Sequence, residues 1–176
     1  MTAPRRILVA GIGNIFLGDD AFGVEVVRRL AARPQPDDVR VVDFGIRGFD
    51  LAHALLEGDD AAILVDATPR GEAPGTVYLI EPDPDAPTGS NDAETALETH
   101  GMDPVRVLRL AQAMGGRPKR VLVVGCEPAQ LDLDDDGRMG LSEPVQAAVD
   151  EAVTLVESVI ARIRETGSDN PDGGAL

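Results

Sequence analysis

The sequence predicts an α/β protein of three layers: a twisted, mostly parallel five-stranded sheet with helices on both faces. Three observations predict it. Short continuous apolar runs, Ile7-Leu8-Val9-Ala10, Ala61-Ala-Ile-Leu-Val65 and Val121-Leu-Val-Val124, read as strands buried on both faces, as in a parallel sheet. Between them lie segments with apolar residues at helical spacing. The two kinds of segment alternate without an internal repeat, which suits crossover helices that return the chain to a parallel neighbour.

The elements follow in order. Residues 6–12 form strand one, and about 21–33 a helix with Val24, Val27 and Ala31 on one row. Pro34-Gln-Pro36-Asp-Asp is a turn before strand two, Val39 to Phe44, which ends at Gly45. Gly48 to Glu57 reads as a short helix with Leu51 and Leu55 on one face, stopped by Gly58. Strand three is Ala61 to Ala67. Strand four is Thr76 to Ile80; residues 69–75 are too few for a crossover helix, so it should run antiparallel to strand three. A long acidic loop, Glu81 to Glu98, leads to a helix over about 104–114, with Asp103 as N-cap and Pro104 at N1. Lys119 to Val124 is strand five. Ser142 and Glu143 open the last helix, whose face is Val145, Val149, Val153, Val156, Ile160 and Ile163.

Composition narrows the function. The 176 residues, 43% hydrophobic and 27% charged, suffice for one domain, expected over 1–166, with 167–176 a disordered tail rich in Gly, Asp and Asn. The net charge of −15 opposes a nucleic-acid or anionic-membrane partner but not a cation. No stretch has spanning length, and Arg5-Arg6 runs directly into a strand, so a cytoplasmic protein with no membrane partner is expected. A lone cysteine, Cys126, excludes an internal disulfide and a cysteine-cluster zinc site. It reads as a small core residue beside an acid that would raise its pKa. Metal ligands must then come from carboxylates and the two histidines, His53 and His100. His53 reads as a surface or half-buried side chain of the second helix.

The stretch Gly11-Ile-Gly-Asn-Ile-Phe-Leu-Gly-Asp-Asp-Ala-Phe-Gly23 organises the rest. It links strand one to its helix at the C-terminal edge of the sheet, where open α/β folds place ligands. Gly11 and Gly13 are read as the residues of a tight turn. A dinucleotide fingerprint fits poorly, since its third glycine would fall on Phe16 and paired aspartates would repel a pyrophosphate. Asp43 fits a turn carboxylate better than a ribose ligand. Of the adjacent acids, Asp19 reads as a cap of the following helix, which leaves Asp20 free for function. Asp66 closes a continuous apolar strand, where an unpaired charge is costly, and it lies at the same edge. His100 stands between the long loop and a helix start and can face that edge too. Two carboxylates and an imidazole suit a borderline divalent ion such as nickel or zinc. Separately, Asp132, Asp134, Asp136 and Glu143 match the spacing of a calcium loop, D-x-D-x-D-G-x5-E, although the flanks are wrong for one. A solvated acidic turn is the plainer reading.

Gly11-Ile-Gly-Asn14 with Gly18-Asp-Asp20-Ala-Phe-Gly23, Val65-Asp66-Ala67, Thr99-His100-Gly101 and Gly125-Cys-Glu-Pro128 together resemble the hydrogenase maturation endopeptidases, over about residues 5–163. The resemblance implies an endopeptidase that removes the C-terminal extension of a nickel–iron hydrogenase large-subunit precursor after nickel insertion. It implies metal-ligand and catalytic roles for Asp20, Asp66 and His100, with nickel supplied by the precursor. A monomer is expected. Family members carry glutamate or aspartate at the first of these positions. The Asp132–Asp136 stretch is outside the family pattern. Two rival functions are a nucleotide- or adenosyl-binding enzyme using Gly11, Gly13 and Asp43, and a non-catalytic nickel-binding accessory protein using the same three ligands.

Overall fold

The computed structural model describes residues 5–83, 103–116, 119–129 and 139–166. Five strands form one sheet: β1 (Ile7–Ile12), β2 (Val39–Gly45), β3 (Ala61–Ala67), β4 (Val77–Ile80) and β5 (Val121–Cys126). Four α-helices accompany them: α1 (Phe22–Ala31), α2 (Gly48–Ala54), α3 (Pro104–Ala113) and α4 (Glu143–Thr166). The strand order is β2-β1-β3-β5-β4. The first four strands in that order are parallel, and β4 joins the edge antiparallel to β5. The direction expected for β4 holds, but its hydrogen-bonded neighbour is β5, which lies between it and β3. All residues of β1 and β3 are buried, as continuous apolar runs in the middle of a parallel sheet must be.

Two apolar clusters cover the two faces. Alternate side chains of β1, Ile7 and Val9, pack with α1 and with the Val145, Val149, Val153, Val156, Ile160 and Ile163 face of α4. Leu8, Ala10 and Ile12 pack with Leu51, Ala52 and Leu55 of α2 and with Val107, Leu108 and Ala111 of α3. This is the three-layer arrangement expected from the sequence. Cys126 is fully buried in the first cluster, and its thiol pKa is pushed up to about 12 by burial and by the nearby acids Asp19 and Glu127. His53 is exposed on α2. No helix among the described residues is long and apolar enough to cross a membrane.

Glycines explain how closely the first crossover sits on the sheet. A Cβ at Gly23, in the first turn of α1, would stand 2.0 Å from the Val65 carbonyl oxygen and 2.3 Å from that of Ile12. One at Gly13 (φ +142°) would meet the Asp20 carbonyl oxygen at 1.8 Å. Gly11 has a different task from the turn expected of it: it lies within β1, and a Cβ there would stand 2.3 Å from Cγ2 of Val27. The helix therefore starts directly above the ends of β1 and β3, and the acids ahead of it are held at that rim.

Four expectations fall outside the described residues: the long acidic loop beyond residue 83, His100, the acids Asp132, Asp134 and Asp136, and the 167–176 tail. Glu143, the fourth member of the calcium pattern, is the exposed first residue of α4.

Candidate active site

Asp20 and Asp66 come to the same edge of the sheet. Asp66 pairs in register with Gly125 of β5, one residue beyond the Gly11–Val65 pair of β1 and β3. Asp20 lies in a short 3-10 turn, Gly18–Ala21, between β1 and α1. Both are buried, at 8% and 5% exposure. Burial is the main cause that holds the Asp66 carboxyl well above its ordinary pKa, and the Asp20 carboxylate adds to it, with a smaller push from Asp103. The backbone N–H of Ala67 opposes the rise. No basic side chain among the described residues forms an ion pair with either acid. A buried carboxylate pair without a cation is costly for a structure that only had to fold. Asp103 caps α3 by accepting from the Val105 N–H at 2.9 Å, so the start of that helix also faces this rim. Among the described residues no group of three His, Cys, Asp or Glu could hold a metal.

The paired acids divide their work, though not as helix caps. The N-cap position of α1 is Ala21, and no side chain caps that helix. Asp20 accepts the Asn14 N–H at 2.8 Å, which closes the loop on itself. The Asn14 side chain in turn accepts the Phe16 N–H at 3.0 Å. Asp19 instead reaches across the molecule. Its carboxylate accepts the N–H of Ala129 at 2.8 Å, the N–H of Ser142 at 2.7 Å and the Ser142 hydroxyl at 2.9 Å. It thus ties the loop of β1 to the segment after β5 and to the start of α4. Asp43 likewise differs from a turn acid: it lies within β2, opposite Gly11, with Arg28 at 3.7 Å.

Glu127, which the sequence marks only as the acid beside Cys126, is a further buried carboxylate. Its carboxylate accepts from the backbone N–H groups of Arg70 at 2.8 Å and Gly71 at 3.2 Å and from the Tyr78 hydroxyl at 2.8 Å. Burial opposes its charge, yet these bonds, with one from the backbone of Glu72, hold its pKa below the ordinary value. It fixes the segment that leaves Asp66 toward β4. The sequence signal was present, an acid directly after a buried strand, but its partners lie about fifty residues away.

Comparison with known proteins bears on what this rim does. The family described as HycI, hydrogenase maturation protease, matches residues 24–159. The hydrogenase expression/formation protein HupD of Rhodobacter capsulatus is 36% identical over 152 residues, which cover 85% of this chain and 70% of that protein. Hydrogenase 2 maturation protease of Escherichia coli is 32% identical over 163 residues, 92% of this chain and 93% of its own. The solved structure of the hydrogenase maturating endopeptidase HybD from E. coli superposes with a TM-score of 0.67 at 32% identity, covering 92% of this chain and 94% of that one. The sheet with its antiparallel edge strand and the acids at its C-terminal rim thus belong to a peptide-bond hydrolase: the chain is a member of the hydrogenase maturation protease family.

Proposed function

We propose that this protease removes the C-terminal extension of a nickel–iron hydrogenase large-subunit precursor and recognises it by the nickel already inserted. The observation that carries the reading is the pair Asp20 and Asp66, buried at one rim with no cation partner among the described residues. On this reading the nickel arrives with the substrate, held by the precursor's cysteines. Asp20, Asp66 and His100 then complete its coordination. Asp103 supports the inclusion of His100: it lies three residues further on and acts electrostatically on Asp66.

What the chain's own groups do follows from their surroundings. Asn14 keeps one oxygen of Asp20 occupied and so sets the direction of the other. Burial and Asp20 make Asp66 a reluctant anion, so an arriving dication gains by relieving the mutual repulsion of the two acids. His100 must be neutral to bind, so cleavage falls as it is protonated. The metal anchors the scissile bond next to the rim, and proximity of this kind is a large part of catalysis.

The test is to change Asp20 to Asn, Asp66 to Asn and His100 to Ala, and to incubate each variant with nickel-loaded precursor. Mass analysis of the large subunit should show the extension retained by all three and lost with the native protein. Unimpaired removal by all three variants would end the ligand assignment. A native protein that binds the loaded precursor but leaves it uncut would favour the accessory role instead.

A further inference from the structure

The rim that holds Asp20 and Asp66 also holds large apolar side chains in water. Phe16 is 62% exposed, Ile46 68% and Phe49 65%. Phe16 and Ile46 stand on adjacent loops, since the Gly13 N–H donates to the Gly45 carbonyl at 3.0 Å and joins the loop after β1 to the loop after β2. Phe16 is also linked to the site, through Asn14, which accepts from the Phe16 N–H and donates its own N–H to Asp20. Phe49 is in the first turn of α2, off the row of Leu51, Ala52 and Leu55 that fills the core. The turn that carries Ile46 is firmly built. The Arg47 guanidinium donates to the carbonyls of Asp43 at 2.6 Å and Phe44 at 3.2 Å, lies 5.7 Å over the Phe44 ring and pairs with Asp50.

Scattered apolar side chains on a surface are ordinary, but three on two joined loops and the helix turn that follows, beside the acid rim, are a patch that a partner can bury. We propose that Phe16, Ile46 and Phe49 form the surface on which an apolar segment of the precursor polypeptide docks beside its scissile bond. The proposal rests on the protease reading. A peptide presented to Asp20 must leave the site across the surrounding loops, and the patch is continuous with the site through Asn14. A second copy of this chain is a poorer occupant, because two molecules of net charge −15 repel each other on approach.

The experiment compares steady-state cleavage of nickel-loaded precursor by the native protein, by the triple variant Phe16→Ser/Ile46→Ser/Phe49→Ser, and by the triple variant with leucine at the same positions. The serine variant should raise KM at least tenfold and keep kcat within about twofold, with unchanged circular dichroism and melting temperature, since the side chains are solvent-facing. The leucine variant should recover most of the native KM. An unchanged KM in the serine variant overturns the proposal while leaving the protease reading intact. So does a fall in kcat alone, or a concentration-dependent dimer that the serine variant loses while KM stays native. A native protein that does not cut the loaded precursor removes the protease reading, and the docking surface with it.

Discussion

Asp19 offers a quantitative test of how the rim is held. Asp19 is 2% exposed, and among the described residues its carboxylate receives hydrogen bonds from Ala129 N–H, Ser142 N–H and the Ser142 hydroxyl. Asp19→Ala removes the acceptor and leaves two backbone N–H donors without it. A donor stranded in this way costs about 1–3 kcal/mol. The hydroxyl can turn to another acceptor, so it adds little. The two amides together give about 4 kcal/mol, less than the sum of three charged hydrogen bonds, because one carboxylate makes them all and its own burial offsets part of the gain. In a domain of this size each kcal/mol moves the melting temperature by about 2–4 °C, so a fall on the order of 10 °C is expected. Asp19→Asn should lose roughly half as much. One oxygen can still serve Ala129 and the Ser142 hydroxyl, while the amide group opposes the Ser142 N–H. Urea unfolding of the three proteins at pH 7 measures the differences. A loss below about 1 kcal/mol for Asp19→Ala would refute the idea that this carboxylate is the tie between the first loop and α4.

Other outcomes follow from the same structure. Asp66 has a native pKa raised by burial and by Asp20, so its contribution to stability is full below the unfolded value near 3.8 and is lost as pH rises through the native value. Asp66→Asn should therefore be more resistant to urea than the native protein at pH 8, with the gap closing toward pH 4, and should leave the precursor uncut. Gly23→Ala puts a Cβ into the Val65 and Ile12 carbonyls, backbone atoms that cannot yield cheaply; about 3 kcal/mol or more of stability should be lost by urea titration. Gly116→Ala, whose nearest neighbour is the movable end of Leu56, should lose much less. Cys126, buried with its pKa near 12, should resist iodoacetamide in the native protein and react on unfolding, as counted by mass spectrometry.

The parts legible in the sequence are those whose causes are local. Ile7 to Ala10 and Ala61 to Val65 announce buried strands because both faces of each strand are covered, and Asp103-Pro104 announces α3 because cap and first turn are neighbours. The burial of Asp66 at the sheet edge was legible for the same reason: it closes an unbroken apolar run. Asp19 was not. It resembles a cap, and nothing near position 19 says that its partners are at 129 and 142. The neighbour of β4 was hidden too. The shortness of residues 69–75 gives the direction of the strand, but β5 stands between β3 and β4 through pairing with residues far away in sequence, which no local pattern announces. Nothing along the chain groups Phe16, Ile46 and Phe49, because single exposed apolar residues are common; the Gly13–Gly45 bond is what joins the two loops that carry Phe16 and Ile46.

The cost of the acid pair bears on why such a protease would read a metal carried by its substrate. A resident ion would need enough donors in the free enzyme to hold it through folding and turnover. On the proposed reading, two aspartates and one imidazole would leave an open set, and the burial that raises Asp66 penalises its anion. A dication between the acids would, on that reading, relieve the penalty, as protonation of Asp66 does at lower pH. A dication that comes with thiolates from another chain brings the missing donors with it. On the proposed reading the strain at the rim is therefore a discriminator: precursor without metal leaves the acids repelling, free metal lacks the sulfur donors, and only the loaded precursor satisfies both. A native protein that binds nickel-free precursor as tightly as loaded precursor would contradict this coupling, since the acids would then be contributing nothing to the choice.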